Sequence, residues 1–334
     1  MFRILVGLLI LLGLAFVATR LTEGRQLLEV LGRGIPFWIT IALILEALLR
    51  VNQIMFFHAV FQLFEVRLRF TKAAQLLLVN LFTSVAAPGG TLSGTAVVIA
   101  ACMRQGIDPA RAMIANFVYF LIDYTAFGLI LAGAVVYLAQ TQRIHAYEIL
   151  ATVLLAALVA GMFTLLTVAL LRPRVLQRLG RRLETGPALL RRFRPDYSWD
   201  GRVTAWISDL VGALQRLRHH RGLVRPVVSA LVFQTLAILT LASVFLAFQH
   251  PVSAAVLITG YAVGKLFTII SITPSGIGFV EGAMSGAFVS LGVPLETAVV
   301  VVLVYRGIDV WLPFLVGVWG VRVVARPAVV RNQM

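Results

Sequence analysis

Residues 252–290 read VSAAVLITGYAVGKLFTIISITPSGIGFVEGAMSGAFVS, an apolar stretch long enough to enter a bilayer but broken near its middle by Thr273-Pro274-Ser275-Gly276. Proline removes a backbone donor and glycine loosens a helix, so two half-length helices are expected rather than one. A piece of about 15 residues rises only about 22 Å, less than a hydrocarbon core of about 30 Å. The stretch is therefore expected to enter, turn at depth and leave on the same side; the competing form is a single kinked span. A second stretch, 73–103, carries the same kind of break at Ala87-Pro88-Gly89-Gly90.

Outward from these breaks the chain is apolar almost throughout. Of 334 residues 60% are hydrophobic and 13% charged, against roughly a quarter charged in a soluble domain, which excludes a water-soluble globule. Long apolar segments at 2–19, 35–64, 110–138, 146–171, 227–248 and 294–323 are expected to cross the membrane as helices. The first of them, behind Arg3, could instead be a signal peptide, but it lacks a small-x-small cleavage site. Cys102, the sole cysteine, excludes an internal disulfide framework and leaves the compartment open.

The 29 Lys and Arg against 14 Asp and Glu give a net charge of +15, better read as membrane topology than as nucleic-acid binding. With both broken stretches re-entrant, one face collects Arg3, the 65–72 and 104–111 turns, the 172–226 loop and the C-terminal tail, and so 22 of the 29 basic residues. That face is expected to be cytoplasmic, with both termini on it. Ordinary spans would place the Arg67-Arg69-Lys72 turn and the Arg172–Arg225 loop on opposite sides, which the same rule disfavours. Within the loop, Trp199, Val203, Trp206, Leu210, Leu214 and Leu217 recur at helical spacing. This amphipathic helix lies at the headgroup level or packs on the ends of the spans; periodicity does not separate the two.

An offset of 186 residues, without gaps, superposes Pro88 on Pro274, Gly90 on Gly276, Gly106 on Gly292 and Ala112 on Ala298. It continues with Val118 on Val304, Tyr119 on Tyr305, Ile122 on Ile308 and Asp123 on Asp309. Two repeat units follow, about 73–138 and about 252–323, and the charge-derived topology makes them inverted. The expected fold is an all-α polytopic membrane protein, a single transmembrane domain over 1–334 with about six full spans and two broken re-entrant hairpins in an inverted repeat. Inverted repeats with broken helices are the plan of many secondary transporters, with the substrate site at mid-depth.

Ionisable groups inside spans are costly and by default functional candidates. They are Glu46, Arg50, Asp123, Lys265, Glu281, Arg306 and Asp309, and Tyr305 stands beside them. Glu46 with Arg50, and Arg306 with Asp309, are within reach on one helix face, so mutual neutralisation explains part of the set. Glu281 and Arg306 both have neutral counterparts in the first unit, Thr95 and Phe120, and this shared absence suggests that the two contact each other. Pro88, Gly89, Gly90, Pro274, Ser275 and Gly276 break helical hydrogen bonding at depth and so must face protein or a wet cavity. Helix N-termini at those glycines suit an anionic headgroup, or the turns serve only packing. Gly260-x-x-x-Gly264 and Gly278-x-x-x-Gly282-x-x-x-Gly286 read most simply as close helix contacts. No HExxH, CxxC or Walker A loop occurs, and the five histidines are scattered, so neither a metal nor a cofactor is expected. Asp123 or Glu281 as an intramembrane acid or base keeps enzyme chemistry open.

The segment PSGIGFVEGAMSGAFVSLGVPLETAVVVVLVYRGIDVWLPFLVG, 274–317, resembles the transmembrane region of lysylphosphatidylglycerol synthases and their stand-alone flippase-like relatives. The resemblance is carried by Pro274, Gly276, Gly278, Glu281, Leu291 to Pro294, Tyr305-Arg306 and Leu312-Pro313 to Gly317, with Arg50 and the Pro88-Gly89-Gly90 break also similar. The first unit departs from it at Thr95 and Phe120. The resemblance implies the translocating half of such a protein without its aminoacyl-transferase domain. The expected function is movement of a phospholipid or related amphiphile between leaflets of the inner membrane. Partners would be lipids with anionic or zwitterionic headgroups and, as a further candidate, a second copy of the chain. The alternatives are a membrane-embedded headgroup transferase and a scaffold for a lipid-modifying enzyme.

Overall fold

The computed structural model describes residues 34–64, 66, 68–86, 91–104, 106–140, 153, 157, 160, 161, 164, 221–271 and 273–314. Their regular elements are helical. The first group is α1 (Pro36–Leu63), α2 (Phe70–Ala86), α3 (Thr91–Arg104) and α4 (Pro109–Gln140). The second is α5 (Val224–Ala247), α6 (Ala254–Ile270), α7 (Phe279–Ser290) and α8 (Leu295–Arg306), the last continuing through a π-helical turn at Gly307–Trp311. Four helices are long and apolar enough to cross a membrane: Pro36–Leu63, Arg111–Gly133, Val224–Ala247 and Leu295–Phe314. They coincide with four of the six segments read from hydropathy. The segment at 2–19, the amphipathic helix after Ser198, Pro88, Gly89 and Gly90 lie outside the described residues; of 146–171 only five residues are described, all helical.

The half-length helices expected around each break are present, with 17 and 14 residues in α2 and α3 and 17 and 12 in α6 and α7. The second break takes its shape from backbone that helices cannot use: Ser275 has φ 48, Gly276 φ 72 and Gly278 φ 84. Glycine occupies that region without cost, but a serine held there stores of order 1 kcal/mol and persists only where neighbours fix it. Gly106 (φ 73) and Gly292 (φ 88) make the turns that follow α3 and α7.

α1 lies antiparallel against α5. The Ile35 N–H donates to the Ala247 carbonyl at 2.8 Å, and Asn52 Nδ2 donates to the Ser229 carbonyl at 2.8 Å, so successive contacts run up one helix and down the other. Two apolar clusters flank this pair. Phe56, Phe57 and Phe61 of α1 pack with Ile114 and Tyr119 of α4, and Leu241 and Phe245 of α5 pack with Met284 and Phe288 of α7 and Val301 of α8. Adding 186 to the bounds of α1, α2, α3 and α4 brings their starts to 222, 256, 277 and 295, each within two residues of the start of α5, α6, α7 and α8. The correspondence thus takes in α1 and α5, which residue matches alone did not reveal.

The glycine stripes divide. A Cβ on Gly260 would fall on the Phe288 ring and one on Gly264 on Met284, so the first stripe does let α6 approach α7 closely. A Cβ on Gly278, Gly282 or Gly286 meets no described atom within 4 Å, so the contact expected of the second stripe is not made among the described residues. α7 turns its larger side chains, Met284 and Phe288, toward α6 and leaves these glycines on its other face.

Candidate functional site

Near the middle of α1, Arg50 is held from three directions. Its Nε donates to Glu46 Oε1 at 2.6 Å, Nη1 to Gln53 Oε1 at 2.9 Å and Nη2 to Asp309 Oδ1 at 2.8 Å. Glu46 and Gln53 reach it because side chains three and four apart share a helix face. Asp309 reaches it because the π-helical turn at Gly307–Trp311 inserts a residue into α8 where the helix passes α1. Nη2 also donates to the Asp309 carbonyl, one of the acceptors a widened turn leaves available.

The second cluster joins α4, α5 and α6. Lys265 Nζ lies 3.0 Å from Asp123 Oδ2, while Gln234 Nε2 donates to Asp123 Oδ1 at 2.7 Å and the Tyr261 hydroxyl donates to Gln234 Oε1 at 2.8 Å. Four rings surround the ammonium, Phe127 at 5.1 Å, Phe233 at 5.7 Å, Tyr124 at 5.8 Å and Tyr261 at 6.0 Å from their centroids. Their π faces complement a cation that has left water.

The third cluster fixes the second break. Arg306 Nε donates to Glu281 Oε1 at 2.9 Å, the contact suggested by the shared absence of both charges from the first unit. Arg306 Nη2 donates to the Ser275 carbonyl at 2.6 Å, and the Ser275 hydroxyl to the Ser84 carbonyl of α2 at 3.2 Å. The other Glu281 oxygen accepts from the Gly278 N–H at 2.6 Å. The N-terminus of α7, the helix that follows the second break, is therefore capped by a carboxylate of its own chain, and its Gly278 N–H is not open to an anionic guest. Arg306 and Asp309 are 3.9 Å apart, a pair weaker than the ones each makes elsewhere. The corresponding place in the first unit holds a neutral contact, Asn116 Nδ2 to Thr95 Oγ1 at 3.1 Å.

These clusters meet at a cavity of about 250 Å³. Arg50, Asp123, Lys265, Ser275, Tyr305, Arg306 and Asp309 line it, with Gln53, Asn80, Ser84, Tyr119 and Tyr261 beside them. Glu46 and Glu281 stand behind the lining as partners of Arg50 and Arg306. Gln53, Gln234 and Tyr261 were not singled out from sequence; the available signal was a lone amide or hydroxyl in an otherwise apolar span, which must find an internal partner. Among the described residues no group of three or more His, Cys, Asp or Glu could hold a metal ion.

A long-helix architecture with a charged, aromatic-walled cavity at the middle of its spans defines a polytopic α-helical membrane protein with an intramembrane polar site. The model of the lysylphosphatidylglycerol synthase transmembrane region matches residues 4–317, and the chain belongs to that family. No curated protein matches the chain. The family relates the protein's work to the membrane and its lipids.

Proposed function

We propose that this protein is a lipid translocator of the inner membrane, built as an inverted repeat of α1–α4 and α5–α8 and passing an anionic or zwitterionic headgroup through the cavity between the two units. The observation that carries this is a crossed pairing. Asp123 and Asp309, equivalent at an offset of 186, are each held from the opposite unit, Asp309 by Arg50 of α1 and Asp123 by Gln234 of α5 and Lys265 of α6. Charged groups at span centres are expensive and mark a substrate path, and a site at the repeat interface near the midplane is where such transporters hold their cargo. The antiparallel course of α1 and α5 supports the inverted arrangement, since equivalent helices of inverted units must run oppositely. The headgroup would exchange hydrogen bonds with Arg50, Lys265 and Arg306 while its acyl chains stay in lipid.

The chain is taken to act without catalysis and without a cofactor, with lipids as its partners, and to place both termini in the cytoplasm. Reconstitution into liposomes with labelled phospholipids tests this. Transfer of label between leaflets, reduced at least tenfold by Arg306→Ala and by Lys265→Met, is the expected result. Headgroup turnover without transfer would replace the translocator with a membrane-embedded transferase.

A further inference from the structure

The carboxylates of the site differ in how their oxygens are used. Glu281 gives one oxygen to Arg306 and the other to the Gly278 N–H. Asp123 gives one to Gln234 and the other to Lys265. Asp309 has Arg50 on one and Arg306 near the other. Glu46 alone leaves an oxygen, Oε2, buried with no partner among the described residues, and its side chain is the least exposed of the four, at 3%. The charges do not balance either. Four carboxylates, Glu46, Asp123, Glu281 and Asp309, face three cations, Arg50, Lys265 and Arg306, a surplus of one negative charge among the described residues of the site.

We propose that Glu46 is a proton-binding site coupled to the cavity, and that an anionic headgroup enters together with one proton taken from the aqueous phase onto the Glu46 carboxylate. This rests on the reading of the cavity as a headgroup site. An ionised carboxylate with a bare oxygen at span depth is unfavourable, and neutralising it relieves both the bare oxygen and the surplus charge. Protonation also weakens the claim of Glu46 on Arg50, whose guanidinium lines the cavity and then has Asp309 as its remaining ionised partner. The incoming anion therefore meets a site of net charge zero in place of one of net charge minus one. By linkage, the anion must favour the proton as much as the proton favours the anion.

Other groups near Glu46 are less suited to this role. Arg50 on its own helix is a permanent cation. Asp309 and Tyr305 from the α8 end and Tyr261 from α6 lie within electrostatic reach of it, with Arg306 beside Asp309 and Tyr119 and Asp123 on α4 across the cavity. Tyrosines are neutral at physiological pH, and both aspartates carry partners on each oxygen. Lys72 and Arg225, the ionisable residues of α2 and α5, sit in the first turns of those helices.

Two measurements on the purified, full-length protein test the assignment. Infrared difference spectra between acidic and alkaline buffer should contain the C=O stretch of a protonated buried carboxyl in the wild type and lose it in Glu46→Gln. Binding of a short-chain phosphatidylglycerol should tighten by up to about tenfold per pH unit of acidification in the wild type, the limit for one linked proton, and be independent of pH in Glu46→Gln. Absence of the band from the wild type, or its persistence in Glu46→Gln, overturns the assignment. A band that is lost in Glu46→Gln while phosphatidylglycerol binds with no pH dependence overturns the coupling alone. No binding at any pH, with the band behaving as expected, overturns the headgroup reading and leaves the proton site standing. Should Glu46→Gln fail to fold, Glu46→Asp must shift the band, and an unshifted band sinks the proposal.

Discussion

The contact between Glu281 and Arg306 lends itself to a graded test. Their side chains are 16% and 6% exposed, so the pair is mostly shielded from water. Removing one partner of a buried ion pair costs about 3–5 kcal/mol because the other charge is stranded. Arg306→Met strands Glu281, whose remaining partner is the Gly278 N–H, and also releases the Ser275 carbonyl. A loss of about 3 kcal/mol is expected. Glu281→Leu should cost a similar amount, about 3 kcal/mol, because Arg306 keeps Ser275 and the more distant Asp309 while the Gly278 N–H loses its cap. The double variant should lose less than the sum of these losses, by a coupling energy of about 1–3 kcal/mol. Charge reversal at both positions restores the pair but not the whole. The exchange removes the carboxylate that caps Gly278, worth about 1 kcal/mol, and puts a cation in the first turn of α7 at a cost of about 0.3–1 kcal/mol. It also leaves the Ser275 carbonyl without its donor, at about 1–3 kcal/mol, and sets a carboxylate beside Asp309. The reversed protein should therefore be more stable than either single reversal, Glu281→Arg or Arg306→Glu, yet about 2–5 kcal/mol below wild type. Equilibrium unfolding in mixed micelles measures them all. A coupling energy under about 0.5 kcal/mol, or a reversed protein no more stable than both single reversals, would refute the pairing as an energetic unit.

The remaining expectations concern packing, the second cluster and topology. Gly260→Ala places a methyl on the Phe288 ring and should cost about 1–3 kcal/mol, whereas Gly282→Ala, with no described atom within 4 Å, should stay within about 0.5 kcal/mol of wild type or gain from better helix propensity; thermal melts of the two variants side by side decide. Lys265→Met leaves Asp123 with Gln234 as its close partner and should reduce liposome lipid transfer at least tenfold, while Lys265→Arg, which keeps the charge among the same rings, should retain a measurable rate. Cysteines at Arg104 and Ser290, equivalent at an offset of 186 and both exposed, should react with an impermeant maleimide from opposite sides of the membrane once buried Cys102 is replaced by Ala; labelling of both from one side removes the inverted arrangement.

What was legible in the sequence follows from what the membrane enforces. Apolar length marked α1, α4, α5 and α8, because a helix that must exclude water from a hydrocarbon layer has little freedom in composition. Pro274, Ser275 and Gly276 marked the break, because few residues tolerate that backbone. The described charges away from the ends of the spans, Glu46, Arg50, Asp123, Arg306 and Asp309, were singled out, and the Glu281–Arg306 contact followed from their joint absence in the first unit. The correspondence of α1 with α5 in helix boundaries escaped notice, because Arg50 and Glu46 correspond to Leu236 and Val232, and Gln234 to Leu48. Polar identity at these helices is not shared between equivalent positions; each unit contributes a different donor to the other unit's aspartate. Residue matching is blind to such complementarity, and only the helix boundaries reveal it. The helix N-terminus after the second break, expected to suit an anion, is closed by Glu281, and this was hidden for a related reason. A free helix N-terminus and one capped by its own third residue look alike until the glutamate rotamer is seen.

The crossed pairing also bears on why the cavity is ionic at all. An apolar joint between the units would be indifferent to a polar guest, and nothing about a passing headgroup would help the units to separate. Here, relative movement of the units must part Asp309 from Arg50 and Asp123 from Lys265, pairs joined at 2.8 and 3.0 Å. Breaking either with nothing to replace it strands buried charges at about 3–5 kcal/mol. An intact buried pair, however, contributes little net stability, since its Coulomb gain largely offsets its desolvation. A headgroup whose phosphate takes the place of one aspartate before Arg50 or Lys265 therefore exchanges one near-neutral arrangement for another. In the proposed translocator the empty protein would meet the full barrier and the loaded one a fraction of it. On this account charge-conserving variants at the crossed pairs should preserve transfer of lipid better than neutral ones of equal volume. Leakage of ions through the unloaded protein should rise in the neutral variants, where nothing opposes movement of one unit against the other.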